Sequence, residues 1–206
     1  MDLRLIYNGP LQAERSRAVE TKHNIRRTLS IQLLDHAQRR EALASLVAQL
    51  TSMPSNVAAP DLPGEQEPNW AAIGQKYRFN DRHFVPLVLG AAHAVCHLEI
   101  LFLRREETEA LITKPKDEYG GDLDNRLKIF LDALRVPLEE KEIPKNVTYD
   151  PWEPNPTICL LEDDSLITKL TIESDVLPGL YRPEKQKDVL IVMTAGLLPE
   201  NSAKLR

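Results

Sequence analysis

Cysteine is nearly absent from this chain of 206 residues: Cys96 and Cys159 are the only two. They lie far apart and form no Cys-x-x-Cys pair, which argues against a disulfide framework or a zinc ribbon. Long apolar runs are missing as well. No stretch approaches the ~20 apolar residues that a membrane-spanning helix needs, so no membrane association is expected. The opening residues, Met1-Asp2-Leu3-Arg4-Leu5-Ile6-Tyr7, are too few and too polar for a secretory leader. A cytoplasmic location is the default expectation. An excess of positive charge is the third absence. With 26 Lys and Arg against 31 Asp and Glu, the formal net charge is −5. That counts against a uniformly basic nucleic-acid binder, because phosphate affinity comes mainly from Lys and Arg.

What is present is unevenly placed. Residues 1–50 hold eight basic side chains (Arg4, Arg15, Arg17, Lys22, Arg26, Arg27, Arg39, Arg40) and five acidic ones, whereas residues 136–175 hold three basic and ten acidic ones. Such asymmetry suits a basic docking face, with Arg26 and Arg27 as candidate DNA contacts, and an acidic metal-binding or regulatory region. Solvated helix faces and loops would give the same pattern.

Periodicity divides the rest. Leu3, Leu5 and Tyr7 alternate with Arg4 and Ile6, a short strand ended by Asn8-Gly9-Pro10. Helical spacing runs from Lys22 to Leu50, with Ile25, Leu29 and Leu33 on one face, then Leu43, Leu46, Val47 and Leu50, and a break near His36. Prolines crowd residues 51–69, a loop. Phe84–Leu89 reads as a strand that Pro86 confines to an edge or a bend. Ala94–Leu103 is the clearest strand, with Cys96, Leu98, Ile100 and Phe102 on one face. His93 and His97 fall in that strand pattern, where their spacing does not converge a ligand pair. A helix is expected from Asp122 to about Arg135, with Leu123, Leu127, Phe130, Leu131 and Leu134 on its apolar stripe. Residues 136–157 are proline-rich and irregular. Ile158–Leu161, Leu166–Glu173 (Leu166, Leu170 and Ile172 inward) and Val189–Thr194 complete the strands. Trp70 and Trp152, in the proline-rich loops, are expected to cap apolar patches, with anchoring of a partner as the alternative. The sum is a single α+β (mixed α/β) domain over 1–206, a small mixed sheet packed against helices, with probable insertions at 51–80 and 136–157.

Three words carry chemistry: Asp122-Leu123-Asp124-Asn125-Arg126-Leu127-Lys128, Leu131-Asp132-Ala133-Leu134, and Glu162-Asp163-Asp164-Ser165. Asp122 follows two glycines and opens a helix, a position where a carboxylate accepts backbone N–H bonds. Asp124 and Lys128, four apart, share a helix face at the border of the apolar stripe. Mg²⁺ takes hard oxygen ligands and keeps several waters, so carboxylates from a loop–helix junction and from a strand start suffice to hold it. Such a site activates water and polarises a phosphodiester, and a lysine beside it offsets developing charge. Each word alone is also an ordinary cap, ion pair or turn.

In combination and order, Asp-x-Asp-Asn-x-x-Lys, Leu-Asp-Ala-Leu and an Asp-Asp pair before a strand resemble the RusA-type Holliday junction resolvases, over residues 122–165. The order of elements resembles that family too. The resemblance implies a RusA-like fold and a homodimer that nicks two strands of a four-way DNA junction symmetrically. It also implies Asp122, Asp124 and Asp164 as ligands of Mg²⁺, with Mn²⁺ able to substitute, and Lys128 as the catalytic lysine. Asn125 and Asp163 match supporting positions, and Lys114 and Lys116, just before the motif, are further candidate DNA contacts. The expected function is therefore a Mg²⁺-dependent endodeoxyribonuclease acting on branched DNA in recombination or repair. The alternatives are a catalytically silent DNA-binding or assembly subunit, and a nuclease for another branched or single-stranded nucleic acid.

Overall fold

A computed structural model describes residues 1–11, 17–52, 69–79, 81–104, 123–145, 147–177 and 188–200. Seven strands and four α-helices follow one another as β1 (Asp2–Pro10), α1 (Ala18–Gln38), α2 (Glu41–Thr51), α3 (Trp70–Gln75), β2 (Arg78–Phe79), β3 (Arg82–Val88), β4 (Ala94–Arg104), α4 (Leu123–Leu134), β5 (Thr157–Leu161), β6 (Ile167–Val176) and β7 (Asp188–Pro199). The α+β expectation holds, but there are two mixed sheets where one was expected. One is four-stranded, in the order β1-β7-β4-β6, and the other three-stranded, β2-β3-β5.

Alternation places the core. Leu3, Leu5 and Tyr7 are buried while Asp2, Arg4 and Ile6 are exposed. Antiparallel pairing sets Leu5 opposite Met193, and Ile100 lies opposite Met193 on the other side. Thus Leu5, Met193 and Ile100 form one row of an apolar layer that Leu3–Ala195–Leu98 and Tyr7–Ile191–Phe102 extend. Burying each such side chain contributes roughly 1.5–3 kcal/mol. Helix α1 covers this layer through Ile25, Leu29 and Leu33, spaced four apart, and packs on β1, β5 and α4. The break expected near His36 falls at Arg39-Arg40. Arg40 leaves helical geometry (φ −133°, ψ 111°), and α2 starts one residue later. Close packing of α2 on α3 depends on Gly74, where an added Cβ would lie 1.9 Å from Leu50 O.

Pro86 falls where Pro is tolerated. Strand β2 pairs only with Arg82 and His83, so from Phe84 onward β3 has β5 as its single neighbour in that sheet.

Four expectations need correction. The buried face of α4 is Arg126, Ile129, Phe130, Ala133 and Leu134, with Leu123, Leu127 and Leu131 only partly buried, so the helix is rotated from the stripe read in the sequence. Leu170, expected inward, is 43% exposed, because β6 is the edge of the sheet opposite β1, the strand on which α1 packs. Trp152 is 67% exposed and caps nothing; the side chain of Trp70 lies outside the described residues. The probable insertion at 51–80 holds two elements that were not expected, α3 and β2, while the loop expected at 51–69 lies outside the described residues from 53 to 68.

The segment after α4 is irregular, as expected, yet firmly held. Arg27 Nε donates to Glu153 Oε2 at 2.7 Å, its terminal nitrogen donates to Glu153 Oε1, and Asp150 N–H donates to Oε1 at 2.8 Å. The Arg82 guanidinium lies 3.8 Å above the Tyr149 ring. Burial pushes the Glu153 carboxyl up, but the bonds from Arg27 and the Asp150 N–H outweigh it and hold the carboxyl below the usual range. Nothing in the sequence pairs positions 27 and 153, since only the fold brings them together.

Among the described residues no helix is long and apolar enough to cross a membrane.

Candidate metal and catalytic site

The candidate acids stand on two adjoining elements. Helix α4 carries Asp124 in its first turn, and Asp124, Asn125 and Lys128 are exposed. Asn125 is engaged in an interaction of its own. Strand β5 ends at Leu161, and Glu162-Asp163 lead into a 3-10 turn, Asp164–Leu166, which contacts both α4 and β4. Leu123, Leu127 and Leu166 pack on the common core. The helix and the turn thus share that core, and Asp124 and Asp164 are both exposed.

The Glu162-Asp163-Asp164-Ser165 word divides sharply by role. Glu162 Oε1 accepts the Tyr77 hydroxyl at 2.6 Å and Oε2 accepts Gly90 N–H at 2.9 Å, so it ties β3's exit loop to β5. Asp163 Oδ1 accepts Ser165 N–H at 2.9 Å and caps the turn. The Ser165 side chain and N–H hold the Asp163 carboxyl below the usual carboxylate range, with Arg135 contributing. Asp164 is the exposed acid of the word. Sequence reading did not anticipate the Tyr77–Glu162–Gly90 clamp, whose partners are up to 85 residues apart.

The basic residues assigned to DNA need revision. Arg26 is 1% exposed, and its Nε and Nη2 donate to Arg135 O at 3.0 Å and Asp132 O at 3.1 Å. It therefore caps the C-terminal carbonyls of α4, where a cation also complements the helix dipole. A buried guanidinium is not available to phosphate. Arg27 is spent on Glu153 and Asp150, the latter at 3.8 Å. Both arginines face the helix α4 and 147–157 side of α1 because that face packs inward. Asp122, Lys114 and Lys116 lie outside the described residues.

No protein-family model, no curated protein and no solved structure matches this chain.

Among the described residues, no three His, Cys, Asp or Glu side chains converge as a ready-made metal cage. Two hard-oxygen donors, Asp124 and Asp164, stand on elements in contact. That donor set fits a cation which keeps several waters and takes few protein ligands, as Mg²⁺ does, and does not fit zinc, which favours closed nitrogen and sulfur sites. Asp132, later on α4, is drawn away, with Lys22 Nζ at 3.5 Å.

Proposed function

We propose that the chain is a Mg²⁺-dependent endodeoxyribonuclease that nicks branched DNA, as the RusA-like words imply. The observation that carries the reading is the contact between α4, bearing Asp124 and Lys128, and the turn bearing Asp164. Residues 40 apart in sequence, chosen for their motif, fall on touching elements and on the solvent side. Asp124 and Asp164, with Asp122 at the head of the helix, would hold the cation. When bound, Mg²⁺ supplies a water of lowered pKa and charge to offset the scissile phosphate. Lys128, one turn beyond Asp124, places a cation beside that phosphate and favours the transition state over the ground state as negative charge grows. Asp163 keeps the turn closed, so that Asp164 is presented outward. A symmetric pair of incisions requires two such sites related by a two-fold axis, hence a homodimer.

The test is incubation of the full chain with a synthetic four-way junction, a flap and a plain duplex, with Mg²⁺, Mn²⁺, Ca²⁺ or chelator. Nicking of the junction with Mg²⁺ or Mn²⁺, and binding alone with Ca²⁺, is the expected pattern. Junction binding without cutting under every cation would favour the silent binding subunit. Cutting confined to the flap or a single strand would reassign the substrate.

A further inference from the structure

The four-stranded sheet has two edges, and they are treated oppositely. Along β1 the outer carbonyls are occupied: Gln32 binds both backbone groups of Ile6, His36 Nε2 lies 3.0 Å from Arg4 O, and Arg40 Nη2 donates to Asp2 O at 3.2 Å. Along β6 the strand pairs with β4 on one side only; among the described residues a side chain meets its backbone at the C-terminal end alone, where Val176 N–H donates to the neighbouring Asp175 Oδ1 at 2.7 Å. A long open edge is a template for strand addition. Leu170 adds a second sign. It lies opposite buried Leu98, on the sheet's core-facing side, yet remains 43% exposed.

We propose that the β6 edge pairs antiparallel with β6 of a second copy, about a two-fold axis normal to the sheet at Thr171. The segment Ile167-Thr168-Lys169-Leu170-Thr171-Ile172-Glu173-Ser174-Asp175-Val176 is self-complementary in that register. Lys169 stands opposite Glu173 of the second copy on the outward face, twice over. Leu170 stands opposite Ile172 on the inward face, again twice, and Thr168 opposite Ser174. Oppositely charged and apolar cross-strand pairs stabilise, and the two faces are served together. A one-residue slip puts inward side chains against outward ones. Moving the axis to Leu170 sets Lys169 opposite Thr171, and moving it to Ile172 sets Leu170 opposite Ser174. Only the Thr171 axis satisfies both faces. Lys169 Nζ lies 3.9 Å from Glu99 Oε1 in one copy, both side chains more than half exposed, so it is free to lie between two carboxylates after pairing. The result is one continuous eight-stranded sheet, its core layer extended across the junction by Leu170 and Ile172. This pairing does not rest on the nuclease reading, and it needs neither DNA nor metal.

Sedimentation of the full chain without DNA or divalent cation reads it directly. Wild type should be dimeric at micromolar concentration. Lys169→Glu or Glu173→Lys alone should raise the dimer dissociation constant about fivefold or more, since each places like charges opposite one another twice. Mixing the two variants should restore dimers, because each mixed pair is again of opposite charge. Thr171→Cys should give a covalent dimer on mild oxidation, the two cysteines meeting at the axis, while Ser45→Cys on exposed α2 should not. Cys96 and Cys159 are buried and do not interfere. A wild type that stays monomeric at tens of micromolar overturns the proposal. So does a dimer indifferent to both charge reversals with no Thr171→Cys cross-link, which would place the interface elsewhere.

Discussion

Gln32 on α1 serves Ile6 on β1 as a neighbouring strand would: Gln32 Oε1 accepts Ile6 N–H at 2.9 Å and Gln32 Nε2 donates to Ile6 O at 2.7 Å. The geometry repeats because two periods agree. Four helical residues rise about 6 Å and two strand residues about 6.6 Å, so positions 32, 36 and 40 keep step with Ile6, Arg4 and Asp2. His36 takes part as one tautomer, since its Nδ1 accepts from Arg40 Nη1 at 3.1 Å while Nε2 faces Arg4 O. Replacing Gln32 by Leu removes the donor and the acceptor together. The expected cost is about 1–2 kcal/mol, two modest hydrogen bonds at a solvent-accessible edge. It should also produce new self-association through β1. Thermal melting and sedimentation of Gln32→Leu against Gln32→Glu, which keeps the acceptor, check both effects, and an unchanged pair of readings would show that the ladder is incidental.

Glu153 fastens the proline-rich segment. It sits buried between Arg27 and Arg82, the latter at 3.9 Å, so removing its carboxylate takes the two-pronged partner from Arg27, leaving it Asp150, and the nearby carboxylate from Arg82. Glu153→Ala should cost about 1.5–3 kcal/mol, the range for hydrogen bonds to charged groups, toward the low end because Arg27 is partly solvated. Limited proteolysis should then cut within 147–157 well before the rest of the chain. Cleavage there at the wild-type rate would mean that Tyr149 and the local turn hold the segment by themselves.

His23 makes stability depend on pH. It is buried edge-on to Phe84 and Tyr149, and burial first, then Arg26 and Arg27, push its pKa down from 6.5 to about 4. Its folded value is below its unfolded one. The unfolded chain therefore takes up this proton below about pH 6.5 and the folded chain does not until about pH 4. The contribution is fully present above 6.5 and is lost as pH falls toward 4, by up to about 3 kcal/mol. Glu153, whose folded pKa is also depressed, adds a further loss at lower pH, in the carboxylate range. Denaturant melts from pH 7.5 to 4 should show the first slope in wild type and its disappearance in His23→Leu, whatever that variant's stability at neutral pH.

Local periodicity carried much of this fold. The alternation of Leu3, Leu5 and Tyr7, the spacing of Ile25, Leu29 and Leu33, and the strand faces around Ile100 all arise from residue-to-residue geometry that any buried element imposes. What the sequence hid was non-local. Leu170 obeys the alternation of its strand, but alternation carries no information about which strand ends a sheet. Arg26 looked like a surface cation because nothing near it in sequence reveals that its partners are carbonyls more than a hundred residues away. In the candidate site, the motif order singled out Asp124 and Asp164, and the fold sets their elements in contact. The separate duties of Glu162, Asp163 and Asp164 could not be read from four adjacent polar letters.

That division gives an internal control for metal binding. Asp163 and Asp164 are neighbours of like chemistry, one capping a turn through Ser165 N–H and the other exposed on that turn, which contacts α4. If Asp124 and Asp164 are cation ligands, their charges repel one another when no metal is bound, although water between exposed groups screens much of that repulsion. Asp124→Asn and Asp164→Asn should therefore melt at or slightly above the wild type in chelator. Millimolar Mg²⁺ should raise the wild-type melting temperature by mass action, and raise it less in either variant. Asp163→Ala should behave in the opposite way. Losing a cap costs on the order of 1 kcal/mol, roughly 2–4 °C for a chain of this size, with or without metal. Its Mg²⁺ shift should stay near that of the wild type, because the cap positions Asp164 without holding the ion. Cleavage of a four-way junction should vanish in the Asp124 and Asp164 variants and persist in Asp163→Ala at reduced rate. Equal Mg²⁺ shifts in all four proteins, with the Asp124 and Asp164 variants destabilised in chelator, would make these aspartates part of the scaffold and remove the basis for a metal on these two elements.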